Sequence, residues 1–251
     1  LYPLVIGKFF SARQLGLYSR AQGFATLPSS NISGILGNVS FPILSKINND
    51  SPRLMRIYRQ MIETAAFIIF PLMLGLFAIA DPLVKVLLNQ QWYDCIIILQ
   101  LLCCALLWQP ISAINLSILK VIGRTDIILK LEIMKRIAGI VSIVCSIPFG
   151  IIGMCIGYMI LYMFCFILNT IYISKITNTP LSLYFKDIMP PLLASIAMCI
   201  IVLSIISFVE SNVLAIIVGI TIGILCYYLF SLFFLKEQLK YALSFIKNKS
   251  I

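Results

Sequence analysis

The sequence predicts an all-α membrane protein that crosses the bilayer several times. Three observations lead to this fold class. Of the 251 residues, 61% are hydrophobic and only 11% are charged, whereas soluble domains carry about 25% charged residues. The mean hydropathy is +1.05. The apolar residues form repeated runs of about 20, the length of a membrane-spanning helix. This composition excludes a soluble enzyme, a nucleic-acid-binding domain and a secreted disulfide scaffold.

The predicted elements follow from the apolar runs in chain order. Residues 1–10 predict the end of one truncated span, and the chain is therefore expected to be a fragment of a longer protein. Asp81, followed by Pro82, predicts the start of a short interfacial helix that ends near Asn89. Seven full spans are expected at residues 15–46, 60–80, 94–118, 127–147, 150–173, 188–208 and 213–235. Residues 1–251 are then one helical bundle with about seven full spans and one partial span.

The basic residues predict the orientation of these spans. Lysine and arginine number 19 against 9 aspartate and glutamate, a formal net charge of +10. Most of the cations fall in alternate loops, near residues 46–59, 120–136, 175–186 and 236–249. Loops of this kind stay in the cytoplasm and contact anionic headgroups. The basic tail at 236–251 is therefore expected to be cytoplasmic, and anionic membrane lipids are expected partners.

The residue types leave little room for catalysis. The sequence has no histidine, the side chain that most often serves as a general base or metal ligand. It also has no phosphate-binding loop, nucleophile elbow or zinc-ligand spacing. The eight cysteines lie in or beside apolar runs. We therefore expect no enzymatic activity, no cofactor and no metal site.

The carboxylates lie in loops or at the ends of the predicted spans. Glu63 follows Arg59 by four residues, which predicts an ion pair on one helix face. No carboxylate lies near the centre of a predicted span, where a proton-coupled or sodium-coupled transporter needs one. The charges therefore argue against an ion-coupling site in this part of the protein.

One stretch of the first full span is unusually polar. Its small and polar residues recur every three or four positions and fall within a stripe about 80° wide: Gln22, Thr26, Ser29, Ser33, Gly37 and Ser40. Such a stripe either packs tightly against another helix or borders a hydrated cavity. Pro28 and Pro42 favour the cavity because they leave carbonyls without helical donors, and Asn31 and Asn38 widen the polar surface. The stripe predicts a substrate cavity.

Two further sets of residues are candidates for function. Gln109 and Asn115 belong to a polar cluster in the 94–118 span, which either hydrogen-bonds to a neighbouring helix or joins the cavity. Lys8, Arg13 and Arg20 fall in the first turn, on the outer side by the count of spans. There they either contact headgroups or form an outer mouth that attracts an anionic substrate such as a phosphate. Arg20 projects away from the polar stripe.

Several motifs together resemble one family of proteins. The motifs are Ile6-Gly7-Lys8, the run from Leu15 to Gln22, Leu27-Pro28, the run from Phe41 to Lys46, Asp50, Arg53-Leu54, Tyr58-Arg59, the run from Pro71 to Leu76, and Trp92. They resemble the second half of bacterial polysaccharide biosynthesis proteins, the O-antigen and exopolysaccharide flippases. This family is part of the multidrug/oligosaccharidyl-lipid/polysaccharide exporter superfamily. The resemblance is strongest over residues 1–125.

The resemblance implies a MATE-like protein of about 14 helices in two lobes around a central cavity. This chain would be the C-terminal lobe, with the missing N-terminal lobe as its partner. The whole protein would flip undecaprenyl-diphosphate-linked oligosaccharide units across the bacterial inner membrane by alternating access, for O-antigen, exopolysaccharide or capsule biosynthesis. Two alternatives stay open. One is a multidrug exporter of the same superfamily, and the other is a membrane enzyme of polysaccharide assembly such as a polymerase.

Overall fold

The computed structural model describes residues 2–47, 50–177 and 179–234, which are helical almost throughout. Within these ranges the α-helices are α1 (Tyr2–Phe9), α2 (Ala12–Lys46), α3 (Ser51–Ala78), α4 (Ala80–Leu87), α5 (Cys95–Leu106), α6 (Gln109–Val121), α7 (Thr125–Ser146), α8 (Gly150–Thr177), α9 (Leu181–Ile206) and α10 (Asn212–Phe234). Short 3₁₀ turns precede α5 and α8. The predicted all-α fold is confirmed, whereas the predicted tail at 236–251 lies outside the described residues.

Several helices are suited to crossing a membrane. By length and composition, five segments of the described chain qualify: Pro52–Ala78, Cys95–Val121, Thr125–Thr177, Leu181–Ile206 and Asn212–Phe233. The third of these contains both α7 and α8. The 35 residues of α2 are enough for a span, but its polar composition sets it apart from the five. The chain is thus a multi-pass membrane protein, and the number of seven full spans stays a prediction.

The long helices run up and down, so their connecting turns gather at two ends. We call the end that holds the turns after α1, α4, α7 and α9 the Ser11 end. The opposite end, with the turns after α2, α6 and α8, is the Lys46 end. Side chains confirm this grouping, because Arg13 reaches Asp94 at the Ser11 end and Arg59 reaches Asp187 at the Lys46 end. The charge pattern predicts that the Lys46 end is cytoplasmic.

The short helix α4 begins earlier than the sequence predicts. Its first residue is Ala80, and Ile79 occupies the N-cap position without a side-chain hydrogen bond. Asp81 is therefore inside the first turn and caps nothing. Its carboxylate instead accepts a hydrogen bond from the ammonium of Lys85 at 2.8 Å, one helical turn further on.

The basic stretch predicted as a loop near residues 120–136 is mostly helix. α6 continues to Val121 and α7 already begins at Thr125. The tight connection depends on Gly123, whose φ of +78° lies in the left-handed region that glycine adopts without steric cost. Lys120 therefore lies in the last turn of α6 and Arg124 at the N-cap of α7, whereas Lys130, Lys135 and Arg136 lie inside α7.

The helices pack around one main core, with a smaller one beside it. α2 lies along α5 and α6, while α3 packs on α9 and α8 packs on α5 and α7. Large side chains such as Tyr18, Ile62, Phe70 and Leu99 fill the main core. α10 packs on α9 and α4 at the periphery. There a second cluster that includes Phe67, Met198, Val202 and Tyr227 joins α3 to the α9–α10 hairpin.

Candidate functional site

The span from Cys95 to Val121 is broken between α5 and α6, at Leu107 and Trp108. Pro110 has no N–H group, so the carbonyl of Leu106, four residues before it, loses its helical donor. Ser29 of α2 supplies the missing hydrogen bond, since its Oγ donates to the Leu106 oxygen at 2.9 Å. The same Oγ lies 3.1 Å from Oε1 of Gln109. Two predicted cavity residues, Ser29 and Gln109, therefore meet in a buried contact between helices.

The rest of the polar stripe lies beside this contact. Ser40 is buried like Ser29, whereas Gln22, Thr26, Ser33 and Gly37 are half-buried. The hydroxyls of Thr26 and Ser33 each donate to the carbonyl four residues earlier in α2, at 2.7 Å. The stripe thus follows the boundary between the packed side of α2 and its exposed side. Packing therefore accounts for Ser29 and Ser40, and a cavity along the other four positions stays a prediction.

The exposed side of α2 carries polar and small residues that the stripe does not include. We call this surface the open face of α2: Gly23, Ser30, Asn31, Gly34 and Asn38, all exposed. A Cβ atom added at Gly23 or Gly34 would meet no atom within 4 Å. The same side also exposes Leu27, Ile35 and Phe41, and the polar and small positions between them are suited to a hydrated cavity or a second lobe. The spacing of these residues was visible in the sequence, but the side of α2 that packs was not.

An apolar groove of about 710 Å³ runs along four helices next to the open face. Its walls come from α2, α3, α9 and α10, and they include Phe24, Leu27, Pro28, Leu72, Met198 and Ile224. Leu27 is 62% exposed. It lies on the same side of α2 as Gly23, Ser30 and Gly34, which are four, three and seven residues from it, respectively. The groove and the open face therefore adjoin at Leu27. Sequence analysis missed the groove because its walls lie far apart in the chain.

The other predicted cavity residue of the 94–118 span lies elsewhere. Asn115 is 1% exposed, and its Oδ1 accepts a hydrogen bond from the hydroxyl of Tyr58 on α3 at 2.7 Å. This hydrogen bond joins α6 to α3 inside the lobe, six residues after Gln109. The structure thus brings Gln109 to the stripe on α2 and places Asn115 in the interior.

The three predicted outer-mouth cations lie at the Ser11 end. Arg13 pairs with Asp94 at 2.9 Å. The guanidinium of Arg20 lies 5.4 Å from the centre of the Trp92 ring, a cation–π distance, and Lys8 lies 6.0 Å from the ring of its neighbour Phe9. The charge of Arg13 is thus offset by a carboxylate. An anion site at this mouth, with Lys8, Arg13 and Arg20 as its cations, stays a prediction.

A charged pair joins α3 to α9 at the Lys46 end. The guanidinium of Arg59 donates two hydrogen bonds to the carboxylate of Asp187, at 2.6 and 2.7 Å. Asp187 is 5% exposed and Arg59 30%. The main partner of Arg59 is thus Asp187. Glu63, the partner expected from helical spacing, adds negative charge near Arg59. Within the described residues, no group of three or more metal-ligating side chains converges.

Comparison with known proteins supports the resemblance seen in the sequence. Residues 1–97 match the model of a family described as polysaccharide biosynthesis protein. The resemblance is confirmed over these residues. Teichuronic acid biosynthesis protein TuaB of Bacillus subtilis (strain 168) is 26% identical over 229 residues, which cover 89% of this chain and 47% of TuaB. Lipopolysaccharide biosynthesis protein WzxC of Escherichia coli (strain K12) is 29% identical over 172 residues, 68% of this chain and 34% of WzxC. The chain thus spans about half the length of TuaB and a third of that of WzxC.

A solved structure shares the fold of the lobe. The lipid II flippase MurJ, in its inward closed conformation, superimposes with a TM-score of 0.74 at 20% sequence identity. The match covers 90% of this chain and 48% of MurJ. The helices described here are therefore arranged like half of that flippase. The names of these relatives describe flipping and polysaccharide biosynthesis, in agreement with the prediction that the chain is not an enzyme.

Proposed function

We propose that the whole protein flips a lipid-linked oligosaccharide across the bacterial inner membrane, and that this chain supplies the second of its two lobes. The name of MurJ supports a lipid-linked substrate, and those of TuaB and WzxC support a role in surface polysaccharide biosynthesis. The proposed substrate is an undecaprenyl-diphosphate-linked repeat unit, which moves from the cytoplasmic to the outer leaflet.

The observation that carries this proposal is the meeting of a polar and an apolar surface on α2. A lipid-linked oligosaccharide has a sugar part rich in hydroxyls and a long hydrocarbon chain. The open face offers side-chain amides and hydroxyls, at Ser30, Asn31 and Asn38, that can hydrogen-bond to sugar hydroxyls. The apolar groove, joined to it at Leu27, offers hydrocarbon walls for the lipid. One helix therefore presents both kinds of surface to one amphiphile.

The transport step in this proposal breaks no bond. The two lobes rock about the substrate so that the cavity opens first to one side of the membrane and then to the other. The open face has neutral amides, hydroxyls and glycines rather than fixed charges, which favours contacts weak enough to release the sugar. The cations Lys8 and Arg20 at the Ser11 end would attract the diphosphate as it reaches the outer mouth. A single lobe has one wall of such a cavity, so residues 1–251 alone are expected to transport nothing.

The experiment that tests this proposal narrows the groove in the full-length protein. Leu72 lines the groove and is 42% exposed, so Leu72→Trp fills space in the groove without entering the packed core. Ile137, on the free side of α7, is 58% exposed and provides the control Ile137→Trp. Each variant is expressed in a strain that lacks its own flippase, and surface polysaccharide is measured together with the amount of folded protein.

We expect Leu72→Trp to fold like the wild type and to lose most of its export, because the groove can no longer take a hydrocarbon chain. Ile137→Trp should export normally. Equal export by both variants, at equal amounts of folded protein, would contradict a role of the groove in transport.

A further inference from the structure

A second cavity lies at the Ser11 end, away from the open face and the groove. It has a volume of about 440 Å³ and lies between the first turns of α2, α5 and α8. We call it the Ser11 notch. Its floor is apolar, formed by Leu17, Ile97, Ile98, Ile151 and Ile152, and its charged residues are Arg13 and Asp94. Neither the floor nor Asp94 takes part in the proposed transport step.

The notch carries one positive and one negative charge within reach of a ligand. Arg13 and Asp94 lie 2.9 Å apart and are 70% and 67% exposed. An ion pair as exposed as this one contributes little to stability, so a ligand can separate it at small cost. The remaining polar residues, Ser11 and Gln14, are engaged with each other in the capping box that begins α2. The charges of the residues that line the notch, Arg13 and Asp94, therefore sum to zero.

The surroundings place the notch at the level of lipid headgroups. Trp92, under the guanidinium of Arg20, lies in the turn before α5, and Tyr93 follows it. Tryptophan and tyrosine are the side chains that mark the membrane–water interface. On the floor, Ile97 and Ile152 are 52% and 46% exposed, so the notch opens onto apolar surface that continues into the bilayer.

We propose that the Ser11 notch binds a phospholipid whose headgroup contains a phosphate and a primary ammonium, as in phosphatidylethanolamine. The guanidinium of Arg13 binds the phosphate through two parallel hydrogen bonds. The carboxylate of Asp94 accepts hydrogen bonds from the ammonium, and the first methylene groups of the acyl chains lie on Ile97 and Ile152. Each charge of the opened ion pair thus gains a partner of opposite sign.

Charge and hydrogen bonding select this headgroup over two others. The phosphate of an anionic lipid such as phosphatidylglycerol would bind Arg13 but leave Asp94 without a cation. The quaternary ammonium of phosphatidylcholine has no N–H to donate to Asp94. Its usual protein partner is an aromatic face, and Arg20 lies over the ring of Trp92, which stands two residues before Asp94.

The test measures lipid binding to the purified full-length protein by native mass spectrometry, with phosphatidylethanolamine, phosphatidylglycerol and phosphatidylcholine at equal concentrations. We expect the wild type to retain phosphatidylethanolamine preferentially. Asp94→Asn should lower this binding about three- to tenfold and shift the preference to phosphatidylglycerol, because the cation is left alone. Arg13→Gln should lower the binding of phosphatidylethanolamine and of phosphatidylglycerol alike, because both are held through the phosphate.

The matched control is the ion pair of Arg124 and Asp126 at the Lys46 end. It is similar in length, 3.0 Å, and in exposure, 48% and 63%, but neither residue lines the notch. Arg124→Gln and Asp126→Asn should leave the lipid profile unchanged. The proposal is overturned by a wild type without preference, by an Asp94→Asn variant with an unchanged lipid ratio, or by equal effects of the control variants. A notch covered by the first lobe would give the first of these results.

Discussion

Ser29 on α2 donates a hydrogen bond to the carbonyl oxygen of Leu106, the oxygen that Pro110 leaves without a helical donor. The same arrangement recurs in α3. Pro71 deprives the carbonyl of Phe67 of its donor, and the hydroxyl of Tyr227 on α10 lies 2.9 Å from that oxygen and donates to it. In hydrocarbon, an unsatisfied carbonyl costs several kcal/mol. At both Pro110 and Pro71, the carbonyl that the proline leaves free therefore binds a second helix. The two contacts hold helices that border the groove or the open face.

Removal of the Ser29 hydroxyl should destabilise the lobe. Ser29→Ala leaves the Leu106 oxygen without a donor in the interior, at an expected cost of about 1–2 kcal/mol in the free energy of unfolding. Ser30→Ala is the control, since Ser30 is exposed and its hydroxyl donates only within α2, to the carbonyl of Thr26. Unfolding of the full-length protein in detergent measures both variants, and the control should lie close to the wild type.

A variant of Pro110 tests the cause of the loss expected for Ser29→Ala. Pro110→Ala restores an N–H group that can bond to the Leu106 oxygen. In this background Ser29→Ala should cost clearly less than in the wild type. If the cost is the same in both backgrounds, Ser29 stabilises the lobe through packing or Gln109 rather than through the freed carbonyl.

Tyr227→Phe provides the corresponding test for α10. The variant keeps the ring that packs on Phe67 at 5.2 Å between centroids but removes the donor to the Phe67 carbonyl. We expect a loss of about 1–2 kcal/mol in the free energy of unfolding. Tyr228→Phe, at an exposed position on the same helix, should change it little. A Tyr227→Phe variant as stable as the control would show that the α10 joint does not depend on this hydrogen bond.

The pair of Arg59 and Asp187 should be worth more than an exposed pair. Asp187→Ala leaves the half-buried guanidinium without its main partner, at an expected cost of about 2–4 kcal/mol in the free energy of unfolding. Asp126→Ala breaks an exposed pair and should change the free energy of unfolding little. A double variant with both charges exchanged, Arg59→Asp with Asp187→Arg, should regain part of the loss. Equal costs for Asp187→Ala and Asp126→Ala would mean that the pair is not anchoring α9.

The sequence predicts the helices well where hydropathy alone decides, and poorly where a distant partner changes the cost of a polar residue. α9 illustrates this difference. Its span was expected at 188–208, after Asp187, but the helix begins at Leu181. A lone carboxylate indicates the end of a span. Asp187 lies inside the helix because Arg59, 128 residues away in the chain, neutralises and hydrogen-bonds it. No local pattern contains that information.

The candidate site shows the same limit. Helical spacing identified α2 as the polar helix and placed Ser29, Ser33 and Gly37 on one side of it. It could not show that Ser29 is buried and binds the Leu106 carbonyl that Pro110 frees on another helix. Nor could it show that Gly34 faces open space. The motifs of residues 1–125 were enough to predict the resemblance that the comparisons support. The groove needed the tertiary packing of four helices.

The predicted topology can be tested by thiol labelling of the full-length protein in intact cells. Lys46 and Glu210 are exposed residues at opposite ends of the bundle. In a background with all native cysteines replaced, including the eight of this chain, Glu210→Cys should react with an impermeant maleimide added outside. Lys46→Cys should react only after the cells are permeabilised. The opposite pattern would place the Lys46 end outside and would contradict the orientation predicted from the basic residues.

The same cysteine-free background can show which side of α2 faces the substrate. Gly34→Cys and Asn38→Cys lie on the open face, whereas Ser29→Cys is buried against Leu106. A hydrated cavity ionises and exposes a thiol, so water-soluble reagents should label positions 34 and 38 and leave position 29 unlabelled. Val144→Cys, 62% exposed on α7, controls for a surface in contact with lipid, where a thiol stays protonated and reacts slowly. Labelling at 34 and 38 should fall when the lipid-linked substrate accumulates in a strain that cannot polymerise it. If positions 34 and 38 react as slowly as position 144, the open face meets lipid or the first lobe, and the substrate cavity has to be formed by other helices.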